Sequence, residues 1–450
     1  MRSYFSGMRP RSRFLAALAV LAAAGCEEVQ EVLPGFEPAL TPRESYVRAL
    51  ESAGLGGTAL VSDWTAAGDR ALADASMISW PFAEEGYLAP EQPDALSWRF
   101  LGRRGQRVAI DAMLSPDAAR VFVDVYEVRD TAGTLRHVLS GDSAQQTVVF
   151  EPRRNAEFVV RIQPELLRGG RYTVRIRSDA ALAFPVQDRS TRNVQSVFGD
   201  ARDGGARDHH GVDIFAPRGT PVLAAANGTV SRVRDTRRGG KVVWLNDEER
   251  GLRLYYAHLD SQFVASGARV QIGDTLGLVG NTGNARTTPP HLHFGVYRRG
   301  EGPVDPWWFV HTPDTTAARI AVDTAAFGDW TRTLSDGARL RASPDDRSTL
   351  LAELPRHTAL RVVGGAGGWF RVVMPDGRRG FISARLTEAA DRPLRSAVLD
   401  ERTSVHALPT AHAAVITRLE PGDAVPVLAL FGGYVLVRPE GSPAGWLMLD

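Results

Sequence analysis

Five of the ten histidines fall within one stretch, at positions 209, 210, 258, 291 and 293. The segment His209-His210-Gly211-Val212-Asp213 sets imidazole and carboxylate four residues apart. The segment His291-Leu292-His293-Phe294 sets two imidazoles at i and i+2. In a β-strand those two positions share a face, so His291 and His293 address one point while Leu292 and Phe294 turn to the core. A third imidazole, His258, closes the apolar segment Leu254-Tyr255-Tyr256-Ala257. The only cysteine is Cys26, far from this cluster. A transition-metal site here must therefore use imidazole and carboxylate. A hydrolytic zinc takes three protein ligands and keeps a position for water; a base and an oxyanion donor complete the set. Two histidines and an aspartate on the metal, with two histidines beside it, satisfy that demand.

Turn-forming residues surround these segments. Gly280-Asn281-Thr282-Gly283 and Pro289-Pro290 close tight connections around the His-x-His strand. Together with His-x-Gly-x-Asp, the phrases Ala-Pro-Arg-Gly-Thr-Pro-Val (216–222), Ala-Asn-Gly-Thr-Val (226–230), Tyr-Ala-His-Leu (256–259) and Pro-His-Leu-His-Phe (290–294) complete a pattern. It resembles the lysostaphin-type (LytM-type) zinc metallopeptidases, murein endopeptidases with an antiparallel β fold called the duplicated hybrid motif. The resemblance covers about residues 195–310. It implies one zinc ion held by His209, Asp213 and His293, with His258 and His291 flanking the water as base and transition-state stabiliser. It does not say which of the two does which. His210 is a rival first ligand, but its spacing to Gly211 and Asp213 fits the pattern less well than that of His209. The implied substrate is cross-linked peptidoglycan. Some relatives have lost ligands and act as non-catalytic, murein-binding regulators of cell-wall amidases; this chain retains all five positions.

The elements that carry the site form one part of a longer chain. At 450 residues it is expected to hold several domains. With 44% hydrophobic and 23% charged residues it reads as globular. A formal net charge of +1 argues against a nucleic-acid binder held by phosphate contacts. Residues 1–25 join a basic head (Arg2, Arg9, Arg11, Arg13) to an apolar run from Phe14 to Ala24 and lead into Gly25-Cys26. That run is too short for a mature membrane span and suits a signal peptide. Small residues before the sole cysteine resemble a lipoprotein signal, which implies lipidation at Cys26, a membrane anchor and a cell-envelope location. Glu27 and Glu28, in place of an aspartate, point by resemblance to the outer membrane facing the periplasm. Removing residues 1–25 turns the formal charge to −3.

The expected architecture is all-β and multidomain. Residues 26–42 read as an acidic, proline-bearing tether and 43–96 as a short helical or irregular segment. Residues 97–186 show alternating strands separated by Gly, Pro and Asp turns, a β-sandwich resembling pre-peptidase domains. Residues 190–310 form the metallopeptidase domain. Beyond it lies a repeat: Leu340, Pro344, Leu354, Trp369, Val372 and Phe381 recur as Val405, Pro409, Leu419, Tyr434, Val437 and Trp446, always 65 residues on. Each copy, 330–390 and 395–450, resembles a bacterial Src-homology-3-like domain and is expected to form a small barrel. Such modules often bind cell-wall peptides; the aromatics Trp369, Phe381, Tyr434 and Trp446 would otherwise serve as core.

Overall fold

The computed structural model describes residues 40–115, 120–141, 147–313, 316 and 319–449. Cys26, the signal segment and all but the last residues of the tether lie outside the described residues. The rest is strand-dominated, with helices at Pro42–Ser52 and Ala59–Ala73 and a short turn of helix at Trp307–Val310. Thr41 caps the first helix through a reciprocal pair with Glu44, and Thr58 caps the second. Trp64, 1% exposed, anchors the second helix by donating its indole N–H to the Pro164 carbonyl at 2.8 Å.

The sandwich has two sheets. One runs Ser76–Met77, Leu96–Gly102, Ala156–Pro164, Val121–Val128, Leu135–Gly141. The other sets Phe82–Leu88 beside Gly170–Ala180, then Gln106–Ser115 and Thr147–Phe150. Trp98, Phe100, Ile110, Val125, Val160 and Ile176 fill the space between them.

Phe82–Leu88 corrects the reading of 43–96 as wholly helical or irregular. Its period-2 pattern was masked because the inward positions include Glu84 and Gly86 beside Phe82 and Leu88. This strand also pairs, through Glu85 and Gly86, with Gly365 and Gly364 of Ala359–Ala366. The sandwich sheet therefore continues into the first C-terminal unit. Glu84, fully buried, accepts from Arg371 at 2.6 and 2.9 Å, from the Tyr172 hydroxyl at 2.6 Å and from the Trp98 indole at 3.1 Å.

The C-terminal units are built from short antiparallel strands. In the first, Leu340, Leu360, Val362, Val372 and Ile382 form a core; in the second, Val405, Val427, Val437 and Leu447 do so. Neither hydrogen-bonded path closes into a ring among the described residues. The barrels are thus open, and strand 359–366 of the first pairs at its start with Trp330–Thr333 and, through Gly364 and Gly365, with the sandwich. Phe381 is fully buried, and Trp446 is buried between the two units against Trp330. Both are packing residues.

The central domain is built on one antiparallel sheet in the order Val194–Ser196, Val212–Phe215, His291–Arg298, Leu252–Gln262, Gly240–Asp247, Gly228–Thr236, Arg269–Val270. Thr275–Val279 pairs with Leu252–Gln262 and with Pro221–Leu223 to cover one side. Leu254, Tyr256, Leu292, Phe294 and Val296 all point to a closed core. Leu182 and Val186, at the end of the segment read as sandwich, pack into this core instead.

Candidate metal centre and its surroundings

Strand register assembles the site. Asp213 lies directly opposite His293, and Ala257 lies opposite His293 on its other side. Because Leu292 and Phe294 are held in the core, His291 and His293 emerge on the other face. His209 enters from the segment before Val212–Phe215 and is 1% exposed. Its Nε2 lies 3.1 Å from Asp213 Oδ1 and 3.0 Å from His293 Nδ1; His293 Nδ1 lies 2.9 Å from the same Oδ1. These three residues form the one such group of potential ligands among the described residues.

The donor chemistry fits a cation. His209 Nδ1 lies 2.8 Å from the Val197 carbonyl, so the ring proton sits there and Nε2 presents a lone pair. Asp213 Oδ1 is also an acceptor. Two acceptors facing each other at 3.1 Å need something positive between them. A tetrahedral zinc with bonds of about 2.0–2.1 Å places its ligand atoms roughly 3.3 Å apart, close to the spacing found here. Burial alone raises the Asp213 carboxyl pKa, but the close approach of the His209 and His293 rings outweighs it and holds the carboxyl far below the usual range.

The other two imidazoles stand beside this triad. His258 Nδ1 lies 2.9 Å from the Thr282 carbonyl, and His291 Nδ1 lies 2.9 Å from the Pro289 carbonyl. Both rings therefore present Nε2 as the free acceptor. His291 Nε2 is 3.9 Å from Asp213 Oδ1, and the His258 and His291 ring centres are 5.1 Å apart. Burial, then the facing His293 and His291, push the His258 pKa down to about 4. Burial likewise lowers that of His293.

His258 adopts a left-handed backbone, φ 64°. That conformation is uncommon for residues other than glycine and is held by its surroundings. Thr282 supplies much of the hold: its hydroxyl accepts from the Lys241 N–H at 3.0 Å and donates to the Leu259 carbonyl at 2.9 Å, while its own carbonyl orients the ring. Gly240 makes room, since a Cβ there would lie 2.1 Å from Thr282 Oγ1.

All five residues line one cleft of about 370 Å³, with Phe215, Tyr255 and Arg202. His210 is exposed and stacks on Phe198 instead. Sequence reasoning missed Arg202, which donates to Asp213 Oδ2 at 2.7 Å and to the Ser196 hydroxyl. Ser196 in turn donates to Asp200 at 2.7 Å. Nothing marks Arg202 among so many arginines; the short connection 200–208 that carries it reads only as a turn.

The profile of peptidase family M23 matches residues 207–306, the span that holds all five residues. The chain carries a peptidase family M23 domain. The profile of the bacterial SH3 domain matches residues 336–388. The M23 domain resembles an L-Ala–D-Glu endopeptidase of Bacillus subtilis, with 37% identity over 28% of this chain and 41% of the relative. It also resembles a peptidoglycan DD-endopeptidase of Vibrio cholerae, with 36% identity over 23% of this chain and 24% of the relative. The chain thus spans less than half the length of these relatives. Among solved structures, the lysostaphin catalytic domain of Staphylococcus simulans is 31% identical, covering 26% of this chain and 92% of that one, with a TM-score of 0.24.

Proposed function

We propose that this chain is a zinc-dependent endopeptidase that hydrolyses peptide cross-links of bacterial peptidoglycan. One observation carries the reading: His209 Nε2, Asp213 Oδ1 and His293 Nδ1 converge in a cleft where His258 and His291 also present acceptor nitrogens. The names of the M23 relatives supply the substrate class.

His209, Asp213 and His293 would hold the metal. Zinc held there supplies Lewis-acid polarisation of the scissile carbonyl and activation of water. The chain's own groups do the rest. In their neutral forms His258 and His291 both offer Nε2 lone pairs, so either can take the proton of the attacking water. The protonated ring then donates to the leaving amine as the C–N bond breaks, and the other ring can support the developing oxyanion only when it carries a proton on Nε2 to donate. Arg202 and the Val197 carbonyl fix two of the ligands. Amidase regulation without catalysis is the competing reading, and the complete five-residue set weighs against it.

Lipidation at Cys26 and an outer-membrane site facing the periplasm belong to the same proposal, on the strength of the lipoprotein-like signal. A zymogram on purified murein, comparing wild type with His293→Ala and His291→Ala, tests the enzyme reading. Clearing by wild type alone supports it, and equal clearing by all three overturns it. Fractionation of Cys26→Ala tests the anchor: an unchanged membrane fraction rules it out.

A further inference from the structure

The metal ligands share their sheet face with a run of aromatic rings. Tyr255 lies opposite Gly295, Arg253 opposite Tyr297, and Trp244 opposite Tyr255. By strand alternation these side chains project on the face of His293, while Leu254, Tyr256, Phe294 and Val296 project into the core. The Tyr255 ring lies 5.8 Å from His293, Trp244 lies 4.5 Å from Tyr255, and Tyr297 lies 5.1 Å from Trp244. The Arg253 guanidinium sits 4.8 Å above Trp244. The three rings are half-buried and Arg253 is exposed. Gly295 leaves the floor between His293 and Tyr297 without a side chain; a Cβ there would lie 3.0 Å from the Tyr297 ring.

The strip continues beyond Tyr297. Pro303 lies opposite Tyr297 on the adjoining strand and lines a second cleft, about 540 Å³, between the M23 domain and the sandwich. Arg103, Arg104, Asn155 and Trp308 also line it, with Arg103 stacked over Trp308 at 4.8 Å. From His293 to Tyr297 alone the strand advances about 13 Å.

None of these rings is needed to close the core, and none touches the cation triad except through Tyr255. A pyranose offers a face of weakly positive C–H bonds that suits the negative face of an aromatic ring. Its hydroxyl and acetamido groups suit donors such as Arg253 and Asn155. An extended peptide fits the strip poorly: the central strands already spend their backbone groups on neighbours at both sides, which leaves no edge for strand addition.

We infer that the Tyr255–Trp244–Tyr297–Arg253 strip is a binding surface for the glycan strand of the substrate, next to the cleft where its peptide is cut. The inference rests on the peptidoglycan reading above. The test uses the whole chain with chelator present, so that no bond is cut, and glycan chains stripped of stem peptides as the probe. Calorimetry should show binding by wild type, weakened about tenfold in each of Trp244→Ala and Tyr297→Ala, the scale of one lost stacking contact. Unchanged melting temperatures of the variants exclude misfolding as the cause. Wild-type affinity in both variants overturns the inference. So does a variant that keeps glycan affinity but loses affinity for isolated cross-linked stem peptides, since the strip would then hold peptide. If wild type cuts no murein yet its glycan affinity depends on Trp244 and Tyr297, the hydrolase reading fails and the glycan surface stands.

Discussion

Arg371→Met probes how the chain is held together. The substitution removes both Arg371 contacts to Glu84, at 2.6 and 2.9 Å, and leaves a fully buried carboxylate with only the Tyr172 hydroxyl and Trp98 indole as donors. Breaking a buried ion pair on one side costs about 3–5 kcal/mol, because the remaining charge is uncompensated. A cooperative unit of this size loses roughly 2–4 °C per kcal/mol, so the unit formed by the sandwich and the first C-terminal unit should melt about 6–20 °C lower. The double variant Glu84→Gln/Arg371→Met removes the stranded charge yet keeps an acceptor for Tyr172 and Trp98, and should recover much of the loss. Differential scanning calorimetry on the full chain reads both. A melting shift within 2 °C for Arg371→Met, or a double variant no more stable than the single, would show that the Glu84–Arg371 pair does not hold the two units together.

Three further outcomes concern the site. Arg202→Ala should weaken zinc binding about 10–100-fold, measured by competition with a chromophoric chelator, because Asp213 loses the donor that orients it; equal affinity would show that Arg202 does not orient Asp213 for the metal. His258→Asn, which tolerates the φ of 64°, should lower kcat on murein about 10²–10⁴-fold while zinc affinity holds; an unchanged kcat excludes His258 from proton handling. Gly240→Ala places a Cβ against Thr282 at a φ of 61°, so the carbonyl that orients His258 must move; activity should fall while zinc stays bound, and full activity contradicts that link.

What the sequence made legible follows from short-range geometry. His-x-His on a strand with core residues between must point both rings one way, and His-x-Gly-x-Asp supplies its imidazole and carboxylate within a few residues. The repeat beyond residue 330 was legible because apolar and glycine positions recur at one interval. Other features depend on contacts that leave no local trace. Arg202 meets Asp213 only because a tight connection folds back over the strand. The strand Phe82–Leu88 places a charge, Glu84, on its inward side, so alternation reads as irregular until Arg371 arrives from almost three hundred residues away. The joining of two sheets through Gly86 and Gly364 is a backbone event, and backbone hydrogen bonds carry no side-chain signature. The aromatic strip was missed for the opposite reason: Tyr255 and Tyr297 read as strand formers, and only the register shows them stacked beside His293.

If His209, Asp213 and His293 hold a metal that cuts peptide in murein, removing one of the three must abolish cleavage. Mass spectrometry of purified peptidoglycan digested by the zinc-loaded chain, alongside Asp213→Ala treated identically, tests it most directly. Wild type should yield newly cleaved cross-linked peptides and Asp213→Ala none. Intact muropeptides after wild-type digestion, or the same cleavage products from both proteins, would contradict it.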